Sequence, residues 1–182
     1  MKIKKKAAAP SKNNSKSVSG RGLITIDITD QNVKIAHLNG RSPEQLVLEN
    51  YKIFPLPQGY IQDGKINNEE QLVAILQQAY AQFKGSSKQF VAALPHNIVT
   101  LQSFNYINDG ETSLEDAANF EAAQSATSDE IILDYQVTHS AGDSEEVLMV
   151  LALKGDSQPY LDCLEEAGFG PLKLLDVETY AI

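Results

Sequence analysis

From residue 22 onward, short apolar runs alternate with polar punctuation. Leu23 to Ile28 is rich in branched apolar residues and predicts a buried strand. Thr29-Asp30-Gln31-Asn32 predicts a turn, and Val33 to Leu38 the returning strand. Asn39-Gly40 is a second turn signal, after which Leu46 to Phe54 predicts a third strand. The three runs predict an antiparallel meander. Pro55, Pro57, Gly59 and Gly64 then mark Pro55 to Ile66 as a structured loop. Asn68 caps a helix running to about Phe83, because Leu72, Ile75, Leu76, Ala79 and Phe83 recur at the spacing of one helical stripe. Gly85 stops it, and Gln89 to Leu94 predicts a strand closed by Pro95.

The next stretch has its own pattern. Ile98 to Ile107 predicts a strand, and Thr112 with Glu115 a capping box opening a helix to about Gln124. Ile131 to Thr138 and Val147 to Leu153 predict two further strands, joined by a polar Ser-Ala-Gly-Asp loop. Strand, helix, strand, strand is a unit that can bury one helix face on one sheet face. A helix follows, with Asp156 and Ser157 at its start and Pro159 in its first turn, where a missing N–H costs little. Leu161, Leu164 and Ala167 form its expected apolar face, Gly168 ends it, and Leu172 to Val177 predicts the last strand. The expected class is α/β (α+β), in three parts. Residues 1–21, with no apolar period, predict a disordered basic tail; 22–97 and 154–182 form a first subdomain; 98–153 form a module spliced into it.

Composition narrows the function classes. Apolar residues are 42% of the chain, enough to fill a core. The longest unbroken apolar run, Val147 to Leu153, is far short of the ~20 residues of a membrane-crossing helix. No apolar segment follows the basic start, so a secretory signal is not expected. The single cysteine, Cys163, permits no internal disulfide and suits a reducing compartment. Net charge is −9, unevenly spread: seven of the fifteen basic residues lie in 1–21, where there is no acid. The rest has eight bases against 24 acids, a net of −16, which makes it a poor general binder of nucleic acid. The tail is expected to be solvated, with an attraction to anionic lipid, weak and salt-sensitive, or to an acidic partner as the alternative.

Catalytic signatures are sparse. His37, His96 and His139 lack metal-ligand spacing. Cys163, between Leu161 and Leu164, reads as a buried inert thiol. There is no Walker-type phosphate loop and no nucleophile elbow. Glu111, Glu115, Asp116 and Glu121 predict an acidic, solvated helix face that is able to meet a basic segment, and Asp176 and Glu178 end the last strand as a weak carboxylate pair.

An ordered set of motifs resembles the PilM family of type IV pilus assembly proteins. Leu23-Ile-Thr-Ile-Asp27-Ile-Thr-Asp30-Gln-Asn-Val33-Lys34 resembles the first phosphate hairpin of actin-like ATPases, and Pro55-Leu-Pro-Gln-Gly59-Tyr-Ile-Gln-Asp63-Gly64-Lys-Ile66 resembles a loop that marks PilM proteins. Ala93-Leu-Pro95, Phe120-Glu121-Ala-Ala-Gln124, Leu133-Asp134-Tyr135-Gln136-Val137, Glu165-Glu-Ala167-Gly168-Phe and Leu175-Asp176-Val177-Glu178 follow in the family's order. The resemblance implies an actin-like, ribonuclease-H-like first subdomain: three-strand meander, helix, strand, helix, strand, with a small inserted module. The MSHA-pilus protein MshI looks like a reduced member of the same group.

For function, the resemblance implies a cytoplasmic scaffold at the inner-membrane face, reaching the membrane only through a partner. That partner is a PilN-like inner-membrane protein whose N-terminal peptide lies between the first subdomain and its module; other pilus assembly proteins are implied too. Phe104, Tyr106, Phe120 and Tyr135 are its expected region, against core aromatics as the bland reading. The family also implies ATP with Mg²⁺ held between two actin-like halves, of which this sequence resembles the first. The matching positions are Asp27, for the metal's water shell, and Lys34, for a point charge. Thr29 stands where the family has a glycine that lets phosphates approach backbone N–H groups, so a degenerate hairpin and no catalytic residue are expected. The alternatives are an actin-like ATPase seen in part, resting on Asp27 and Lys34, and an FtsA-like cell-division scaffold, against which the Pro55–Ile66 loop counts.

Overall fold

The computed structural model describes residues 22–40, 42–87, 89–125 and 130–178; the basic tail expected at 1–21 lies outside them. The chain runs β1 (Leu23–Ile28), β2 (Asn32–Asn39), β3 (Val47–Pro55), the short β4 (Ile61–Gln62) and β5 (Lys65–Ile66), α1 (Glu69–Phe83) and β6 (Phe90–Leu94). Then come β7 (Val99–Ile107), α2 (Leu114–Ala123), β8 (Ile131–Ala141), β9 (Ser144–Leu153), α3 (Lys154–Glu166) and β10 (Leu172–Val177). The predicted meander, helix, strand, helix, strand order is the one found, and the mixed α+β class with it.

Five strands form one sheet in the order β10-β6-β1-β2-β3. β1 and β2 pair antiparallel with Asp27 opposite Lys34, β3 continues antiparallel, and β6 and β10 run parallel to β1. Alternation in β1 and β2 sends Ile24, Ile26, Ile28, Val33 and Ile35 to one face, all at most 2% exposed. That face takes both long helices, which also pack on each other. Leu72, Leu76 and Phe83 of α1 and Tyr160, Cys163 and Leu164 of α3 are buried there with Phe90, Ala92 and Phe169. Each large apolar side chain so buried contributes about 1.5–3 kcal/mol. Tyr80, Phe90 and Phe169 meet edge to face, with centroids 5.1–6.3 Å apart.

The opposite face carries no described helix. One register row across it reads Leu174, Val91, Thr25, Ala36, Tyr51; the next reads Asp176, Ala93, Asp27, Lys34, Ile53. Tyr51, Ile53, Leu48 and Leu174 are each more than half exposed there. β7, β9 and β8 form a separate antiparallel sheet in that order, with α2 against it.

Helix ends follow local chemistry, and four local features differ from the sequence expectation. Asn68 Oδ1 accepts the Gln71 N–H at 3.2 Å, as expected for α1. The α2 cap is Ser113, not Thr112: Ser113 Oγ accepts the Asp116 N–H at 3.0 Å and donates to its carboxylate at 2.6 Å, while Thr112 O accepts the Tyr106 hydroxyl. α3 starts at Lys154, directly after β9, so Pro159 sits inside it and not in its first turn; Ser157 Oγ donates to Leu153 O instead of capping. Its buried face is Tyr160, Cys163 and Leu164, with Ala167 at its C-cap buried as expected, and Leu161 is only partly covered. It ends as predicted at Gly168, φ +99°, with the Phe169 N–H on Leu164 O. Finally, β8 and β9 pair through Ala141 and Ser144, which leaves Gly142-Asp143 as a two-residue turn where a longer loop was expected.

The Pro55–Ile66 loop is structured, but by a tie no local pattern announces. Its β4–β5 hairpin turns at Asp63 (φ 51°) and Gly64 (φ 75°), the left-handed pair that a tight hairpin needs. The Asp30 carboxylate accepts the Asp63 N–H at 2.9 Å and the Gly64 N–H at 3.3 Å. From below, the buried Tyr160 hydroxyl donates to Gly64 O at 2.8 Å. A Cβ on Gly64 would collide with the Asn97 side chain. The loop is thus pinned to β1–β2, α3 and the chain leading into β7. Tyr160→Phe strands the Gly64 carbonyl and is expected to lower stability by about 1–3 kcal/mol in urea unfolding; an unchanged midpoint would show that the tie contributes nothing.

Candidate functional site

Three places on the surface bring polar and apolar groups together. The first is the C-terminal end of the parallel strands, where ligands commonly sit in open α/β sheets. Asp176 and Asp27 flank Ala93 there, two strand spacings or ~10 Å apart. Lys34 Nζ donates to Asp27 Oδ2 at 2.7 Å; both side chains are partly exposed, so the pair is worth at most about 1 kcal/mol. Beside them, Glu178 Oε2 lies 3.1 Å from His96 Nδ1 and accepts the His96 N–H at 3.3 Å. The His96 side-chain bond, helped by its backbone N–H and by the charges of His96 and Lys34, holds the Glu178 carboxyl below the usual range against the opposing effect of burial.

Thr29 decides what the β1–β2 turn offers an anion. Its Oγ1 accepts the N–H groups of Asn32 at 3.2 Å and Gln31 at 3.4 Å, and its own N–H goes to Asn32 O. Those backbone donors are turned inward on the turn itself. With Asp27 paired to Lys34, the polar groups of this turn are engaged within the hairpin as folded. Asp30, next in sequence, serves the Asp63-Gly64 turn. Among the described residues no group of three or more His, Cys, Asp or Glu is gathered as for a metal.

The second place is a cleft of about 370 Å³ between the two sheets, lined by Leu94, Leu175, Asp176 and Val177 on one side and by Ile132, Asp134, Gln136, Leu148, Val150 and Ala152 on the other. β8 and β10, each an edge strand of its own sheet, both contribute to it. Ile132, Leu148 and Val150 were not among the residues expected at a site. The unbroken apolar run Val147 to Leu153 was the signal: Val147, Met149 and Leu151 are buried on the α2 side, and Leu148, Val150 and Ala152 line the cleft. A strand apolar on both faces has something to cover on each.

The third place is a groove of about 500 Å³ between β7 and α2, lined by Phe104, Tyr106, Ile107, Asp109, Asp116, Phe120 and Glu121 among others. The four expected partner-binding aromatics are therefore divided: Phe104, Tyr106 and Phe120 border this groove, whereas Tyr135 borders the cleft while packing toward Ala122 and Met149. Burial first, and then the carboxylates of Glu115, Asp134 and Asp116, push the Tyr135 phenol up. Tyr106 is buried and Phe120 is 69% exposed.

Comparison with known proteins fits this architecture. A family model described as type IV pilus assembly protein PilM matches residues 25–182. A chain of a PilM-PilN type IV pilus biogenesis complex superposes with a TM-score of 0.72 at 20% identity, covering 90% of this chain and 48% of that one. The cytoplasmic domain of EpsL, an inner membrane component of the type II secretion system of Vibrio cholerae, superposes at 0.55 with 12% identity, over 85% of this chain and 57% of that one. A Bacteroides thetaiotaomicron protein with actin-like ATPase fold and unknown function gives 0.44 at 10% identity, over 90% and 54%. The chain thus spans about half the length of the solved structures it matches. No curated protein sequence matches. Among the described residues no helix is long and apolar enough to cross a membrane.

Cys163 belongs to none of these places. It is 1% exposed under α1, and burial pushes its thiol up to about 11, with Glu69, Glu166 and Asp162 adding. Thiolate at pH 8 is then about a hundredfold scarcer than for an exposed cysteine. A disulfide reagent is expected to modify the native chain at least a hundredfold more slowly than the urea-unfolded chain; equal rates would mean an accessible, ionised thiol.

Proposed function

The chain belongs to the PilM family of type IV pilus assembly proteins, and from that premise we propose that it is a pilus-assembly scaffold whose inter-sheet cleft holds an extended peptide of a PilN-like inner-membrane protein. The observation that carries the reading is the cleft itself. It is an apolar trough, floored by Leu148, Val150, Ile132 and Leu175. Two edge strands border it, and an edge strand presents backbone N–H and C=O groups to an added segment. Asp134 and Asp176 stand at opposite walls, placed to receive a cationic side chain or a peptide amine. Apolar side chains set alternately along an extended segment would fill the floor, and the carboxylates would fix its register. The similarity to a chain from a PilM-PilN complex supports a partner of that kind.

The reading assigns no bond-making step to the chain. The Asp27 carboxylate is taken by Lys34 and the turn donors by Thr29, so the ATPase alternative gains nothing from this end of the sheet. Tethering at the cytoplasmic face of the membrane would come through the partner, with other pilus assembly proteins joining the same platform.

Titrating the ¹⁵N-labelled chain with the cognate N-terminal peptide is expected to shift amides at 132–136, 148–152 and 175–177. Val150→Asp, which puts a charge on the apolar floor, is expected to weaken binding at least tenfold with the fold intact by circular dichroism. No shift in those three segments at millimolar peptide would overturn the reading.

A further inference from the structure

The β7–α2 groove lies on the opposite face of the module's sheet from the cleft, and the peptide reading leaves it unused. Its chemistry is one-sided. Residues 98–153 contain eleven Asp and Glu and not one Lys or Arg. Three of those acids, Asp109, Asp116 and Glu121, rim the groove itself. Between them stand two large apolar side chains, Ile107 at 64% and Phe120 at 69% exposed. β7 is an edge strand of its sheet, so the groove has an open backbone rail along one wall. Apolar anchors between carboxylates beside a free strand edge suit an extended segment that alternates apolar and cationic side chains. A like-for-like pairing of two such modules is disfavoured, because both carry the same sign.

This chain contains a segment of that description. Its first six residues are Met1-Lys2-Ile3-Lys4-Lys5-Lys6, in which an extended strand would put Met1 and Ile3, followed by Lys5, on one side and Lys2, Lys4 and Lys6 on the other. The geometry of the fold says whose groove it meets. Gly22, where the described chain begins, is held by Ser87 at the start of β1. The module leaves the sheet at the other end, after β6, and the groove lies at the far end of β7. β1 and β7 laid end to end measure about 50 Å, close to the full reach of the residues from Lys6 to Gly22. A neighbouring copy is reached without that stretch. We propose that the tip of the N-terminal arm, Met1–Lys6, of one copy lies in the β7–α2 groove of the next, so that copies join head to tail. Ile3 lies against Phe120 and Ile107, and the lysines face Asp109, Asp116 and Glu121. Such a contact is heterologous and does not close on itself in pairs.

A complementation experiment with full chains tests it. One variant, Lys2→Gln with Lys4→Gln, Lys5→Gln and Lys6→Gln, keeps the groove and loses the charged tip. The other, Phe120→Ser with Glu121→Lys, keeps the tip and loses the groove; Phe120 is exposed and Glu121 partly exposed on α2, so the fold is expected to survive, as circular dichroism checks. At 50 mM NaCl, adding the unlabelled second variant to the ¹⁵N-labelled first is expected to shift amides at 104–107 and 116–121. Raising NaCl to 500 mM, where screening is about threefold shorter, is expected to weaken the interaction at least tenfold. Absence of those shifts with both variants at millimolar concentration, or shifts that persist unchanged at 500 mM, would overturn the proposal. The PilN-like peptide plays no part, so this test and that of the cleft fail independently.

Discussion

The packing of α1 and α3 on a single face of the β10-β6-β1-β2-β3 sheet is the constraint from which the rest follows. Leu76 and Phe83 from one helix and Tyr160 and Leu164 from the other close over Ile24, Ile26 and Phe90, and all seven are nearly or fully buried. Removing a residue such as Phe83 would cost about 3–5 kcal/mol, a large part of the stability of a domain this size. Because α3 is seated there, its Tyr160 hydroxyl reaches the Gly64 carbonyl. Because that loop is seated, the chain entering β7 is placed, and with it the module and both of its concavities.

The molecule spends its polar atoms on position more than on chemistry. Asp27, Asp30 and Thr29 all lie in or beside the first turn. Here each is satisfied internally: Asp27 by Lys34, Asp30 by the Asp63-Gly64 turn, Thr29 by its own turn's N–H groups. What is left open is surface of a different kind, an apolar cleft between two strand edges and an acid-rimmed groove on the other side of the same three strands.

Much of the fold was legible because its signals are local. The stripe Leu72, Ile75, Leu76, Ala79, Phe83 and the alternation in β1 and β2 need only a helical or a pleated period to be read. The errors sit where two local rules compete. Ser113 and Thr112 both make good caps, and only the burial of Tyr106 beside Thr112 chose between them. Pro159 suggested a helix start, yet α3 begins five residues earlier because β9 runs straight into it. The candidate site was less legible, since its geometry is long-range. Asp30 meets residues more than thirty positions away. The four aromatics proposed as one region fall on two sides of a sheet whose pairing no single segment specifies, and β9's double-sided apolar run was the one sequence signal pointing to the cleft.

The bare side of the five-stranded sheet, with Leu174, Tyr51 and Ile53 open to water, gives the folded chain a tackiness of its own. Attraction through such a patch is driven by water release, so it strengthens on warming and with salting-out ions. Contacts made by lysines and carboxylates weaken as ions are added. A contact of the kind proposed for the acidic groove would therefore respond to salt in the opposite sense to one made through this apolar face.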